Sequence, residues 1–374
     1  MNAANPSTHT EASPSRLARI AQARQSLMHE GGASGTGWVA PWVERSWQRC
    51  LNLGLEPSSH VSFAQVTAPM LRHTLEANQH LMEAAHPMLQ NLARAIVNTR
   101  YFAILTNADG VVVDACGAID HADPRAHQIT RVGTDLSERS IGTTAIGTAL
   151  AELQPVWLHR GEHFFDNTSV YSCAGAPLFG PDGACVGMLD VTGVDAQERP
   201  ELKHLVMQSA SKIENALITA LPHALLLHLN WPGSALGSDA DGMLCLDSEG
   251  WITGANPVAR QMVPGLAGPG QAAVHVSEVF GMPFEPLFDA AKRPGNPIEL
   301  PLWSGLRLQA LAITRADECR TLQAGAAPAR ALREVEAAMI RKAVDDARGH
   351  VGQAARALGI SRATLYRKLG HKPA

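Results

Sequence analysis

The spacing of apolar residues along the chain predicts helices first, strands next, and helices again. Helices are expected at residues 43–53, 69–98 and 201–221. The last of these carries one apolar stripe, made of Leu202, Leu205, Val206, Ile213, Leu217 and Ile218. A shorter helical stretch at 17–28 lies within residues 1–37, which are rich in Ser, Pro and Gly. This segment is therefore expected to be a flexible lead-in.

Between these helices, apolar runs flank turn residues in patterns typical of β-hairpins. The first hairpin is YFAILTNADGVVVDACG, with its turn at 107–110. The second is CAGAPLFGPDGACVGMLDVTG, with its turn at 181–183. GMLCLDSEGWITGAN predicts a further strand-turn-strand, and LRLQALAIT, at 306–314, predicts one more strand.

The pattern divides the chain into two mixed domains and a helical tail. The predicted fold class is α+β for two sensor domains, at 38–221 and 227–315, followed by an all-α domain at 329–374. A linker rich in Ala, Gly and Pro is expected at 316–328.

Composition fits a soluble, multidomain protein, because 45% of the 374 residues are hydrophobic and 18% are charged. No apolar run approaches the ~20 residues of a membrane span, and the N-terminus lacks the apolar core of a secretion signal. A cytoplasmic protein without membrane association is expected. The six cysteines include no C-x-x-C pair, which argues against a zinc ribbon.

Charge is distributed unevenly along the chain. Residues 327–374 hold ten Lys or Arg and four Asp or Glu, a balance of +6, whereas the remaining residues hold 21 basic and 31 acidic groups, a balance of −10. A basic tail on an acidic body suggests a polyanionic partner.

The tail has the pattern of a helix-turn-helix. An amphipathic helix is expected at 329–347, ended by Gly349, and its apolar stripe suits a monomer core or a dimer seam. Gly359 supplies the tight turn, and Ser361 is a fitting N-cap for the last helix. Outward-facing residues of that helix are the DNA-binding candidates, namely Ser361, Arg362, Thr364, Tyr366, Arg367 and Lys368. Guanidinium groups suit contact with guanine in the major groove, and the remaining cations suit phosphates.

The segment LREVEAAMIRKAVDDARGHVGQAARALGISRATLYRKL resembles the Fis-type DNA-binding domain of bacterial enhancer-binding activators. The resemblance implies a dimer formed through the long first helix, and a last helix that contacts DNA. Gly352 departs from the family pattern, which usually carries a side chain there.

Residues 38–221 resemble the sensor of the acetoin catabolism regulator family, a GAF-type domain. The motifs that carry this resemblance are WVERSWQRCLNLGLEPS, LTNADGVVVDACG, SERSIGTTAIGTAL, GEHFF and CAGAPLFGPDGACVGMLDVTG. The next segment, DGMLCLDSEGWITGANPVARQMV, is similar to the start of a PAS domain. One departure is Thr144, where relatives usually have Asn.

A GAF-like fold implies a concave, mostly apolar pocket with a few polar groups that select the ligand. The polar candidates for ligand contact are Thr143, Thr144, Glu162, His163 and Ser172. For each of them a capping or core hydrogen bond is the alternative to ligand contact.

Residues 159–163 also match H-x-x-E-H, an inverted zinc-protease motif. That chemistry requires both histidines on one face of a helix. Pro155, Gly161 and the neighbouring aromatic residues instead favour a strand and a loop, so no metal is expected.

Acetoin-type regulators carry an ATPase between the sensor and the DNA-binding domain, and its phosphate loop needs a Gly-Lys pair. No Lys of this chain follows a Gly, and the GAFTGA element is absent. The sequence therefore predicts a DNA-binding regulator that responds to a metabolite without ATPase activity, and no enzyme. The alternative is a dimerising antagonist or co-regulator of a full-length sigma-54-dependent activator.

The expected partners are double-stranded DNA, a second copy of the chain, RNA polymerase and a small effector. By resemblance to the acetoin sensor, that effector is a hydroxyketone, an alcohol or an aldehyde. No cofactor is expected.

Overall fold

The computed structural model describes residues 15–29, 37–293 and 295–314. The predicted linker, the basic tail and its DNA-binding candidates (Ser361, Arg362, Thr364, Tyr366, Arg367 and Lys368) lie outside the described residues.

The described chain begins with helices. They are α1 (Arg16–Arg24), α2 (Pro41–Asn52), α3 (Ala68–Ala77) and α4 (Gln79–Ile96). The sequence predicted a single helix over 69–98, but the structure interrupts it at Asn78, where ψ is 14°. The Asn78 side-chain amide donates to the Thr74 carbonyl over 2.8 Å. Asn is suited to this position because its short polar side chain competes for backbone hydrogen bonds.

The helix that the sequence placed in a flexible lead-in packs against the body of the protein. Ile20 and Ala23 of α1 are buried, and Arg24 donates to the carbonyls of Gly161 (3.0 Å), His163 (2.6 Å) and Phe164 (3.1 Å). The apolar side of α1 and this arginine anchor it to the loop that follows the third strand.

The first sheet is antiparallel and five-stranded. Its strands are β1 (Tyr101–Asn107), β2 (Val112–Gly117), β3 (Val156–His159), β4 (Tyr171–Phe179) and β5 (Cys185–Val194), in the order β2-β1-β5-β4-β3. Both hairpins expected from the sequence, β1–β2 and β4–β5, are confirmed.

Helices cover both faces of this sheet. On one face lie α1, α2 and the short helices α5 (Pro124–Thr130), α6 (Glu138–Ile141) and α7 (Ala145–Glu152), and on the other lie α4 and α8 (Leu202–Ala220). Alternation along β1 divides its side chains between the two cores, with Phe102 and Ile104 in the first and Ala103 and Leu105 in the second.

The second sheet also has five strands. Its elements are β6 (Leu225–Asn230), β7 (Gly242–Leu246), β8 (Ile252–Ala255), α9 (Pro257–Met262), α10 (Val276–Val279), α11 (Glu285–Ala291), β9 (Ile298–Pro301) and β10 (Arg307–Thr314). The strand order is β8-β7-β6-β10-β9, with β6 at the centre. The predicted pair β7–β8 and the predicted last strand are confirmed.

The two sheets touch through α8 and through the turn between β4 and β5. Asn256 donates to the Asn215 side chain over 2.8 Å. The Pro181 carbonyl of the turn accepts from the Ala255 amide at 2.9 Å and from the Arg260 guanidinium at 2.7 Å. The hairpin that forms the centre of the first sheet is thus bonded directly to the second.

Among the helices of the described residues, none combines the length and the apolar character that crossing a membrane requires.

Candidate functional site

A small cavity lies between the first sheet and the short helices that cover it. Its free volume is about 30 Å³, enough for one or two water molecules. Seven of its lining residues are apolar, namely Phe63, Ile104, Ile129, Leu136, Ile141, Ala145 and Ile146. Its polar members are Thr144, His163, Thr168, Tyr171, Cys173, Asp190 and Thr192.

Strand register places the polar groups of β4 and β5 together. Cys173 lies opposite Thr192, and Gly175 lies opposite Asp190. Because side chains alternate along a strand, Asp190 and Thr192 point to the same face of the sheet. On the other side of β5, Asp190 lies opposite Ile104 of β1. The carboxylate therefore stands on the central strand, on the face that the short helices cover.

Asp190 is completely buried. Its Oδ2 accepts a hydrogen bond from the Thr192 hydroxyl, whereas its Oδ1 has no hydrogen-bond partner among the described residues. Burial raises the pKa of this carboxyl to about 7, because removal from water disfavours the charged form. An unsatisfied buried acceptor is costly and rare in native proteins.

His163 and Cys173 form a second polar contact on the wall. His163 Nδ1 lies 2.9 Å from the Arg160 carbonyl, which can only accept. Nδ1 therefore carries the proton, and Nε2 is left as an acceptor for the Cys173 thiol at 3.4 Å. Burial lowers the pKa of His163 to about 4 and raises that of Cys173 well above its usual value, so both groups are neutral at pH 7.

Ion pairs outside the cavity hold the elements that enclose it. Arg49 of α2 binds Glu138 of α6 at 2.7 Å and Glu152 of α7 at 2.6 Å. Together with the contacts of Arg24 to the loop that bears His163, they attach the N-terminal helices to the helical wall of the cavity.

Of the five ligand-contact candidates, the structure brings Thr144 and His163 to the cavity wall. The Thr144 hydroxyl also caps α7, since it accepts from the Gly147 amide at 3.1 Å. Because its hydrogen remains available, the capping bond does not use up this side chain.

The other three candidates lie in buried hydrogen-bond networks beside the cavity. Thr143 accepts from the Ser46 hydroxyl at 2.8 Å. Glu162 accepts from Arg16 and from the His159 amide, both at 2.7 Å. Ser172 lies 2.8 Å from His159 Nδ1. These contacts correspond to the structural alternative that the sequence left open.

The H-x-x-E-H segment forms the end of β3 and a 3₁₀ turn, as the flanking residues indicated. His159 and His163 engage different partners there, Ser172 and Cys173. Within the described residues, no group of three or more His, Cys, Asp or Glu side chains is arranged to hold a metal ion.

Sequence reasoning missed Asp190, Thr192 and Cys173. A signal was present for Asp190, since the largely apolar strand GMLDVTG carries one acidic residue at its middle. Acidic residues are almost never fully buried without a partner, so such a position is notable. Nothing local identified Cys173 or Thr192, which meet only through the pairing of β4 with β5.

Comparison with known families gives two matches. The model described as "MimR, N-terminal domain" matches residues 18–215, just over half of the chain. The model described as "Bacterial regulatory protein, Fis family" matches residues 331–370. The second match confirms the resemblance of the tail to Fis-type domains.

Several curated relatives are named as transcriptional regulators. The acetoin catabolism regulatory protein of Cupriavidus necator is 32% identical over 254 residues, 66% of this chain and 37% of that protein. The propane 2-monooxygenase operon transcriptional activator MimR of Mycolicibacterium goodii is 32% identical over 234 residues, 60% of this chain and 39% of that protein. The acetoin dehydrogenase operon transcriptional activator AcoR of Bacillus subtilis is 26% identical over 225 residues, 59% of this chain and 36% of that protein.

The chain thus spans less than two fifths of the length of these relatives. Among solved structures, the Escherichia coli DhaR(N)–DhaL complex covers 73% of this chain and 99% of its own at a TM-score of 0.46 and 14% identity.

The names of the relatives confirm the predicted resemblance to acetoin catabolism regulators and the expectation that the chain is not an enzyme. Since one family model covers more than half of its residues, the chain belongs to the family of the MimR N-terminal domain.

Proposed function

We propose that this protein is a sequence-specific DNA-binding transcriptional regulator that responds to a small metabolite and needs no ATP hydrolysis. In this proposal the first sheet with its helices is a GAF-like sensor, and the second is a PAS-like module. The observation that carries it is the presence in one chain of a MimR-type N-terminal domain, which contains a small cavity, and a Fis-type segment at 331–370.

DNA binding is assigned to the basic tail. From Arg348 to the end the chain has six Lys or Arg and no acidic residue. Arg362, which the sequence pattern predicts to lie in the first turn of the last helix, is proposed to contact a base, whereas Arg367 and Lys368 are proposed to hold phosphates. A dimer would place two such helices on a partly palindromic site.

Fluorescence anisotropy of the full chain on selected DNA tests this assignment. We expect Arg362→Ala to cost roughly 1–3 kcal/mol on the preferred site and to relax preference at one base pair. Lys368→Ala serves as the matched control, because loss of a phosphate contact weakens all sequences alike and lowers the salt slope by about 1. Binding that does not depend on salt would overturn the assignment.

Independence from ATP follows from the sequence between the sensor and the tail. No Lys follows a Gly in that interval, and the second sheet occupies residues 225–314 of it. Pure protein is therefore expected to show no ATP turnover with or without DNA, and measured hydrolysis would contradict this part of the proposal.

Metabolite binding is assigned to the cavity of the first sheet. A thermal-shift screen of small polar metabolites on the full chain tests it. Occupancy at ~100 times the dissociation constant adds about 2.7 kcal/mol to the stability of the bound domain. A screen in which no compound raises the melting temperature would count against the sensor function.

A second candidate is an antagonist that pairs with an ATPase-bearing relative. It is favoured by the absence of a Gly-Lys pair in a chain that matches both regulator families. Co-purification of such a relative with the tagged chain from the source cell would support it, whereas recovery of a homodimer alone would support the first proposal.

A further inference from the structure

We propose that Asp190 selects the ligand of the cavity by accepting a hydrogen bond from a hydroxyl group on a small neutral compound. This inference rests on the proposed ligand-binding function and names the ligand class of that site. It starts from geometry, since a fully buried carboxylate on the cavity wall has one oxygen satisfied by Thr192 and one without a partner.

Most other polar groups of the wall already have partners. The Tyr171 hydroxyl donates to the Arg125 carbonyl at 3.1 Å, and the Thr168 hydroxyl donates to the Phe165 carbonyl at 2.8 Å. His163 is held by a backbone carbonyl and by the Cys173 thiol. Asp190 Oδ1 is thus the carboxylate oxygen that the described wall leaves open for a ligand.

The number of open acceptors distinguishes the ligand classes. An ammonium group carries three donors and a full charge, whereas the wall leaves one carboxylate oxygen open and most of its other polar groups already have partners. A hydroxyl group carries one donor, which matches one open oxygen. A ketone or an aldehyde has no donor, so it would leave the ionised oxygen buried and unsatisfied.

Protonation of Asp190 should change this preference. The titratable groups that face it are Tyr171 and Cys173 of β4 and His163 of the loop after β3, whereas the lining residues of β1, α5, α6 and α7 are uncharged. Burial raises the pKa of Tyr171 and Cys173 and lowers that of His163 to about 4. Between pH 6 and pH 8.5, Asp190 is therefore the group of the wall that changes charge. Once protonated, it donates a hydrogen bond, and a carbonyl becomes an acceptable partner.

Isothermal titration calorimetry of the full chain can test this with probes of matched size. The probes are 2-butanol, 2-butanone and the sec-butylammonium ion, which share one carbon skeleton. Each is larger than the one or two water molecules that the free volume holds, so binding requires the short helices over the cavity to shift outward. At pH 8.5 we expect 2-butanol to bind at least about tenfold more tightly than 2-butanone. A tenfold difference in affinity corresponds to the free energy of one hydrogen bond to a charged acceptor. At pH 6 we expect the ratio to shrink, because the ketone gains affinity.

Two variants test whether Asp190 causes the preference for the alcohol and its dependence on pH. Asp190→Asn keeps the shape of the side chain but removes the ionised acceptor, so the preference for the alcohol and its dependence on pH should both disappear. Glu214→Gln is the matched control. Glu214 is also a buried carboxyl whose pKa burial raises to about 7, but it accepts from the Phe179 amide and does not line the cavity. This control should keep both behaviours.

Several results would overturn the proposal. They are equal affinity of alcohol and ketone in the unmodified chain at pH 8.5, tighter binding of sec-butylammonium, an alcohol preference that survives in Asp190→Asn, and the absence of binding by all three probes. If Asp190→Asn fails to fold, the change in the alcohol-to-ketone affinity ratio of the unmodified chain between pH 6 and pH 8.5 still tests the proposal. The proposed sensor function fails separately, only if the broad metabolite screen also finds no ligand.

Discussion

Each of the two sheets has one fully buried aspartate on or beside its central strand, and the two residues differ in their hydrogen bonding. Asp241, beside the central strand β6, is surrounded by donors. It accepts from the amides of Gly237 (2.6 Å) and Ser238 (3.1 Å), from the Ser238 hydroxyl (2.9 Å) and from the Asn230 amide (3.1 Å), and it lies 3.3 Å from His228 Nδ1. Asp190, on the central strand β5, has one donor and one open oxygen.

The difference shows two uses of a buried carboxylate. In the second sheet the Asp241 carboxyl group holds the loop before β7 by accepting hydrogen bonds from it. In the first sheet the charge borders a cavity, and its hydrogen bonding is incomplete. A fully satisfied buried group stabilises a fold, whereas a partly satisfied one costs stability and is tolerated where a ligand completes it.

Replacement of Asp241 should have the largest effect on stability. Asp241→Ala leaves buried donors of the 237–241 loop and of β6 without an acceptor, so we expect the free energy of unfolding to fall by about 3 kcal/mol or more. Urea denaturation followed by tryptophan fluorescence measures this. If the free energy of unfolding falls by less than about 1 kcal/mol, the Asp241 hydrogen bonds do not stabilise the fold in the way that distinguishes this residue from Asp190.

Replacement of Asp190 should have the opposite sign above pH 7. Its pKa is raised from 3.8 in the unfolded chain to about 7 in the folded protein, so the folded state binds the extra proton and loses stability as pH rises between these values. A shift of this size corresponds to a penalty of about 4 kcal/mol at pH 8, which Asp190→Asn removes, while the buried amide donor that it introduces costs about 2 kcal/mol. The free energy of unfolding should therefore rise by roughly 2 kcal/mol at pH 8, with no gain at pH 4.

Denaturant titrations at pH 4, 6 and 8 check the prediction for Asp190. The unmodified chain should lose stability across this range more steeply than the Asn variant does. Equal slopes for the two proteins would mean that the Asp190 carboxyl is not held in a desolvated state.

The smallest expected effect concerns the contact between the two regions. Arg260 donates to the carbonyls of Pro181 (2.7 Å), Ala255 (3.3 Å) and Ala267 (2.7 Å). Arg260→Ala should lower stability by about 1 kcal/mol. Arg307→Ala is the control, since its ion pair with Glu299 is exposed and should contribute less than ~0.5 kcal/mol.

If the Arg260 contact links the two sheets energetically, its loss should also broaden the unfolding transition, because the two regions would then melt separately. An unchanged, single transition with unaltered stability would show that the Pro181 turn and the second sheet are coupled by other contacts.

Local patterns in the sequence were sufficient for much of the fold. The apolar stripe at 201–221 gave α8 to within one residue at each end, and turn residues located the hairpins β1–β2 and β4–β5. The break at Asn78 was missed because one polar residue competes with an otherwise continuous helical pattern. β6 was missed because a short apolar run without turn signals does not distinguish a buried strand from a helix.

The site was less accessible to sequence reasoning. Thr144 and His163 were found through motifs and do line the cavity. Asp190 was not found, because its significance depends on β5 lying at the centre of the sheet between β1 and β4, which is a long-range pairing. The packing of α1 through Arg24 was likewise not predicted, because residues 1–37 are rich in Ser, Pro and Gly and their composition indicated a flexible segment.

The most direct test of this account is the titration of the Asp190 carboxyl by carbon-13 NMR, assigned by comparing the unmodified chain with Asp190→Asn. The account predicts a carboxyl that titrates near pH 7 in the free protein and at lower pH with saturating 2-butanol, since a donated hydrogen bond favours the charged form. A carboxyl that titrates near 4, or one whose titration the alcohol leaves unchanged, would contradict it.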